Sequence, residues 1–255
     1  MSGPDRWSFL KEFTAARIAL GRTGNALPTE NLLDFQMAHA QARDAVHASL
    51  DMELLHKQIA DTGIGLPVAE VNSEAPTRHA YLQDPSKGRH LSPDAELPET
   101  SVEHDLVFII GDGLSATAVH ENAVATLAAT LTHLEGWTVA PLVIAHQARV
   151  ALADEIGARF HAALSVMLIG ERPGLSASDS LGAYLTFAPK PGRQNAERNC
   201  VSNIRPAGLR PELAGYKIAW LLKEARRLKL TGVNLKDDAP DALPGRQEKG
   251  REKLP

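Results

Sequence analysis

Few residues in this sequence are placed to do chemistry. Gly111-Asp112-Gly113-Leu114-Ser115-Ala116 follows an apolar run and precedes an alanine-rich stretch. Glycines in such a turn let the backbone approach a pyrophosphate held at the following helix N-terminus. A dinucleotide site also wants an acidic residue at the end of the second strand, to bind the ribose. That place reads Ala145-His146-Gln147-Ala148 and holds no carboxylate. The turn therefore fits equally a bend required by the fold or a loop facing some other ligand. The lysine of a nucleoside triphosphate loop is missing. Cys200 is the single cysteine. It can be read as a nucleophile served by His133, His146 or His161, or as an inert small residue. His39 and His47 stand two helical turns apart, whereas zinc helices use one-turn spacing, so no metal site is expected. Glu171 follows the third apolar run and precedes Arg172-Pro173-Gly174. Its carboxylate can accept hydrogen bonds from a ligand, cap the next turn, or pair with Arg172.

The elements that must position these residues form an α/β pattern. Leu106 to Ile110 is a continuous apolar run closed by glycine, as a buried parallel strand reads. A helix over 118–134 follows, then a strand over 139–145, a helix over 150–160 and a strand over 164–169. A short strand over 182–187 and a helix over 211–229 complete the series. Alternation of this kind predicts a Rossmann-like parallel sheet with crossovers. Such sheets bind ligands outside the carboxyl ends of their strands, which selects the loops 111–117, 146–150 and 170–180. Ahead of this domain (residues 105–235) lies an N-terminal arm and helical region (1–104). Pro28 and Thr29 open a helix expected to reach about Asp61, with Thr29 as cap and Leu32, Phe35, Ala42, Val46 and Leu50 as its apolar stripe. Residues 63–104 read as a connection. Residues 17–20 read as a helical turn or a docking peptide. The polar, proline-rich tail, 236–255, should be disordered.

Bulk properties narrow the function classes. The chain has 255 residues, 44% of them apolar and 23% charged, with a net charge of −4. Its basic residues are dispersed and its aromatics few, which disfavours a nucleic-acid partner. The start of the chain lacks the apolar core of a signal peptide, and no stretch approaches a membrane span of about 20 apolar residues. One cysteine permits no internal disulfide, so a cytoplasmic setting is expected.

Several stretches taken together resemble one family. They are Asp34–His47 (DFQMAHAQARDAVH), Leu168–Gly192 (LIGERPGLSASDSLGAYLTFAPKPG) and Arg198–Leu209 (RNCVSNIRPAGL), with Thr14–Arg22 and the DGLSA turn in agreement. They are similar to the small subunit (light chain) of ethanolamine ammonia-lyase, up to about Asn234. The resemblance implies a lyase that uses adenosylcobalamin to convert ethanolamine into acetaldehyde and ammonia. It implies a large-subunit partner, a TIM barrel that holds the substrate, in a hetero-oligomer with cobalamin at the junction. It also implies a helical N-terminal part and a Rossmann-like C-terminal part. The family's cobalamin contacts fall on Val150, Glu171 and Cys200, with no catalytic residue in this subunit. The Asp-x-His-x-x-Gly motif of histidine-ligated cobalamin proteins is absent, so the cofactor should keep its own benzimidazole. Some relatives start with an extra amphipathic helix that targets a bacterial microcompartment. This chain begins close to the shared arm, which leaves encapsulation open. A stand-alone nicotinamide-dependent oxidoreductase is the alternative reading.

Overall fold

A computed structural model describes residues 5–14 and 16–240. Six strands form one sheet: β1 (Val68–Asn72), β2 (His104–Gly111), β3 (Leu142–His146), β4 (Ala162–Gly170), β5 (Leu181–Phe187) and β6 (Arg198–Ile204). Their order across the sheet is β1-β3-β2-β4-β5-β6. The pairs β1–β3, β3–β2 and β2–β4 are parallel, while β4–β5 and β5–β6 are antiparallel. The fold is thus mixed α/β, and the expected parallel sheet holds for four of the six strands. Chain length explains the change of direction. Loops 171–180 and 188–197 fall short of the dozen or so residues that a parallel crossover takes.

The residues between 63 and 104, expected as a connection, supply the edge strand β1, which pairs with β3 from Val68↔Leu142 to Asn72↔His146. Only Val71 of this strand is buried, so its sequence lacks the apolar run of an inner strand. The strand β6 was also not expected. It buries Arg198, Val201 and Ile204, and its polar letters hide the pattern. Pro141 has no N–H to give a ladder, and the strand expected from 139 starts at Leu142, leaving Val139 in a lone bridge to Leu106.

The helices are α1 (Thr29–His47), α2 (Met52–Thr62), α3 (Arg78–Gln83), α4 (Ala116–Leu131), α5 (Leu152–Arg159) and α6 (Pro211–Leu228). The single helix expected over 29–61 is two. Ala48 is extended, and Asp51 restarts the helix by accepting a hydrogen bond from the Leu54 amide at 3.0 Å. Thr29 is the first residue of α1 rather than its cap, and Pro28 precedes it without a side-chain bond. The expected stripe is buried only in part: Ala42, Val46 and Leu50 are half-buried, with Leu50 against the main core, while its first half is exposed. α1 buries only Ala38 and Ala45, and Leu32 and Phe35 are 41% and 39% exposed. Residues 17–20 form no helical turn; the Asn31 side chain donates to the Leu20 carbonyl at 2.6 Å and ties this extended arm to α1.

α4 and α6 cover one face of the sheet, over a core that includes Phe108, Ile110, Leu127, Leu168, Ala183, Leu185 and Leu222. α5 covers part of the other, over Val107, Ile109, Met167, Ile169, Leu152 and Ile156. Alternate strand residues thus serve opposite faces. The disorder expected over 236–255 lies outside the described residues from 241 onward, while Ala239 is buried. Among the described residues no helix is long and apolar enough to cross a membrane.

Candidate functional site

The glycine turn closes on the protein itself. A Cβ on Gly113 would stand 2.3 Å from the Gly170 carbonyl oxygen, and one on Gly170 would stand 2.1 Å from that of Ser115. Only glycine fits at both places, and the two backbones touch where a pyrophosphate would have to enter. The start of α4 is likewise covered. Ser115 caps it by accepting from the Ala118 amide at 3.1 Å, and its hydroxyl donates to the Ser178 carbonyl at 2.8 Å. The Leu114 amide donates to the Gly170 carbonyl at 2.9 Å. Asp112 joins β2 to the next loop, accepting from the amides of Gln147 and Ala148, each at 2.9 Å. Burial pushes its carboxyl up, against those amides and the nearby Arg78. The turn is a structural joint, and the geometry gives no support to a nicotinamide site.

Glu171 lies one residue past β4, where the strand-end rule pointed. Its Oε2 is committed: the Ser180 hydroxyl donates to it at 2.5 Å and the Asn203 amide at 3.3 Å. Oε1 receives no hydrogen bond among the described residues. It faces Gly182, where an added Cβ would stand 2.9 Å from it and 3.2 Å from the Tyr184 ring. Gly182 is itself buried, and its missing Cβ makes room for the Glu171 side chain and the Tyr184 ring. Arg172 is not the partner of Glu171.

Tyr184 and Cys200 are cross-strand partners on β5 and β6. The Tyr184 hydroxyl and the Cys200 thiol lie near each other on the sheet. Both lie on the face served by α5, which packs chiefly on β4 and β2. Beyond that helix the face is open: Tyr184 is half-buried and Cys200 exposed. Val150, in the loop between β3 and α5, packs against the same apolar cluster as Tyr184. Two of the three expected contacts, Glu171 and Cys200, thus meet at one shelf with Tyr184 between them, and Val150 borders the apolar cluster beneath it. The histidines proposed for Cys200 are occupied elsewhere in two cases: His133 packs edge-on to Tyr216 at 5.6 Å, and His146 lies 3.9 Å from Glu70.

With this geometry in hand, comparison with known proteins is decisive. Residues 4–236 match the family described as ethanolamine ammonia-lyase light chain (EutC). The small subunit of ethanolamine ammonia-lyase from Bradyrhizobium diazoefficiens is 52% identical over 244 residues, covering 93% of this chain and 92% of the relative. Those of Xanthomonas campestris pv. campestris and Pseudomonas putida (strain KT2440) are each 49% identical, covering 94% and 92% of this chain and 91% and 89% of themselves. The chain belongs to the ethanolamine ammonia-lyase light chain family.

An unpaired carboxylate oxygen can accept from amide N–H groups, and a tyrosine edge with a small thiol offers apolar contact. Desolvation pushes the Cys200 thiol up, helped by the Glu171 charge and opposed by the Tyr184 hydroxyl. A thiol shifted this way stays protonated at neutral pH and is a poor nucleophile. Alkylation of Cys200 by iodoacetamide should accordingly show a pH midpoint above the ordinary thiol value of about 8.5. A midpoint at or below that value would mark an activated thiol instead.

Two features of the shelf had no local signal in the sequence. Arg198 is buried on β6 and grips Asp154 of α5 through two contacts of 2.6 Å, with the Thr186 hydroxyl at 2.8 Å and the Arg193 carbonyl at 3.0 Å. This pair ties the helix to the outer strands beside the shelf. Tyr184 was visible only as a lone aromatic in an expected strand; its role follows from its register with Cys200.

Proposed function

We propose that this chain is the small subunit of an adenosylcobalamin-dependent ethanolamine ammonia-lyase and that it contacts cobalamin through Val150, Glu171 and Cys200. The chemistry is carried elsewhere, in a large TIM-barrel subunit that holds ethanolamine. The observation that carries the reading is Glu171: one carboxylate oxygen is fixed by Ser180 and Asn203, and the other receives no hydrogen bond among the described residues. A corrin bears several amide side chains, and a carboxylate oxygen without a hydrogen bond is the acceptor they need. When bound, adenosylcobalamin supplies a weak cobalt–carbon bond as the source of radical chemistry. The residues of this chain bind the ring, orient it and keep water from one of its sides.

The partner reading has its own support. Large apolar side chains stand exposed along the N-terminal segment and α1: Trp7, Phe9, Phe13, Leu33 and Met37 are each more than half exposed. Exposed apolar groups of this kind mark interaction surfaces. They suit a subunit that works inside an assembly.

The test is an ammonia assay. The purified chain should release no ammonia from ethanolamine, with or without adenosylcobalamin. Addition of the large subunit should restore cofactor-dependent release. Turnover by the isolated chain would overturn the reading.

A further inference from the structure

The break between α1 and α2 is fastened to the sheet domain through one histidine. His120 lies near the start of α4, half-buried, and its Nε2 accepts from the Asp51 amide at 2.9 Å. A ring nitrogen that accepts from an N–H carries no proton, so this imidazole is neutral and its proton sits on Nδ1. Asp51 is also the residue that starts α2. Its carboxylate accepts from the Leu54 amide and its carbonyl from the Leu55 amide, each at 3.0 Å. The His120 carbonyl holds the same helix a second time, accepting from the Gln58 side-chain amide at 2.9 Å. Leu55 and Ile59 then anchor α2 in the main core. One residue of α4 thus binds α2 at two points, and only the first depends on the protonation of a ring.

We propose that His120 is a pH-sensitive latch: its neutral ring fastens the start of α2 to α4, and its protonation releases it. Two effects act together. An imidazolium turns a second N–H toward that of Asp51, so the bond is lost and two donors oppose each other. The same cation attracts the Asp51 carboxylate and draws it away from the Leu54 amide, which leaves the first turn of α2 uncapped. Among the described residues, the Asp51 carboxylate is the charge that acts on the ring, and it favours protonation. Burial opposes it more strongly and holds the ring below the ordinary histidine value of about 6.5. A base lowered in this way contributes stability that is complete above the unfolded value and is lost as the pH falls through the folded one. Release is local. Arg78 still holds the end of α1 by donating to the Val46 carbonyl at 2.7 Å, and Leu55 and Ile59 stay in the core. The latch thus sets the order of residues 48–54, the link between the helix that carries exposed apolar side chains and the helix that leads into β1. It needs neither cofactor nor partner.

Hydrogen exchange of the full-length chain tests the latch, read by mass spectrometry at about pH 8 and about pH 5 and corrected for intrinsic rates. In acid the wild type should lose protection over residues 51–55 by about threefold or more, the worth of one solvent-accessible hydrogen bond. His120→Gln keeps an acceptor near the place of Nε2 and cannot titrate, so its protection there should be the same in both buffers. His120→Ala has no acceptor in either, and should exchange at the higher pH as the wild type does in acid. An acid loss that persists in His120→Gln would overturn the proposal. So would a wild type whose protection here does not change with pH, or full protection of His120→Ala at the higher pH.

Discussion

Arg198→Met is expected to destabilise the folded chain by about 3–5 kcal/mol, the usual cost of removing one partner from a buried ion pair. For a chain of this size that is about 6–20 °C in Tm. Both side chains are almost fully buried, 2% exposed for Arg198 and 3% for Asp154. Methionine fills much of the volume but leaves the Asp154 carboxylate in an apolar place with no cation. The loss has a definite pH dependence. Burial pushes the Asp154 carboxyl above its ordinary value, and Arg198 is what opposes this. Without Arg198 the folded-state value rises further above the unfolded one. An acid raised in this way costs stability above its folded value, and the cost fades as the pH falls through that value toward the unfolded one. The variant should therefore lie furthest below the wild type at neutral pH and approach it in acid. Thermal melts at neutral and acidic pH check this. The double variant Asp154→Leu with Arg198→Met should regain most of the loss, because neither charge then remains buried. If the single variant melts like the wild type at neutral pH, the pair is not what joins α5 to the outer strands.

How legible was all this in the sequence? The inner strands β2 and β4 were readable because full burial on both faces writes continuous apolar runs. The outer strands were not, for a physical reason. β1 and β6 are sheet edges, each buried at few positions, and their polar letters follow contacts made far away in the chain. Arg198 looks like any surface arginine until Asp154, 44 residues earlier, is seen against it. The stripe on α1 was legible but misread. Leu32 and Phe35 face outward, and a sequence cannot say whether an apolar stripe meets this chain's own core or another chain. At the site, strand-end logic found the position of Glu171, and the family resemblance added Val150 and Cys200. Neither could show that only one Glu171 oxygen is hydrogen-bonded, since that depends on where Ser180 and Asn203 are placed by the β4–β5–β6 pairing. The glycine turn was the opposite case. Its letters suggested a nucleotide, and only the contact between Gly113 and Gly170 explains them.

Adenosylcobalamin affinity of the Glu171→Gln complex tests the central claim most directly. Gln keeps the size and one acceptor and removes the charge. The Ser180 and Asn203 donors to Oε2 lose their charged partner, and the open Oε1 position becomes a weaker acceptor or a wrongly placed donor. A hydrogen bond to a charged group contributes about 1.5–3 kcal/mol, so affinity should fall about tenfold or somewhat more. Turnover at saturating cofactor should hardly change, because the proposed role of the carboxylate is to orient the ring and not to touch ethanolamine. Cys200→Ser serves as the comparison and should lose much less affinity, since its neutral thiol is a packing contact. The measurement is a cofactor titration of the wild-type and Glu171→Gln complexes, read by absorbance and by initial rate of ammonia release. The account predicts a raised half-saturation for adenosylcobalamin with an unchanged maximal rate. An unchanged half-saturation, or a maximal rate that collapses while the cofactor still binds normally, would contradict it.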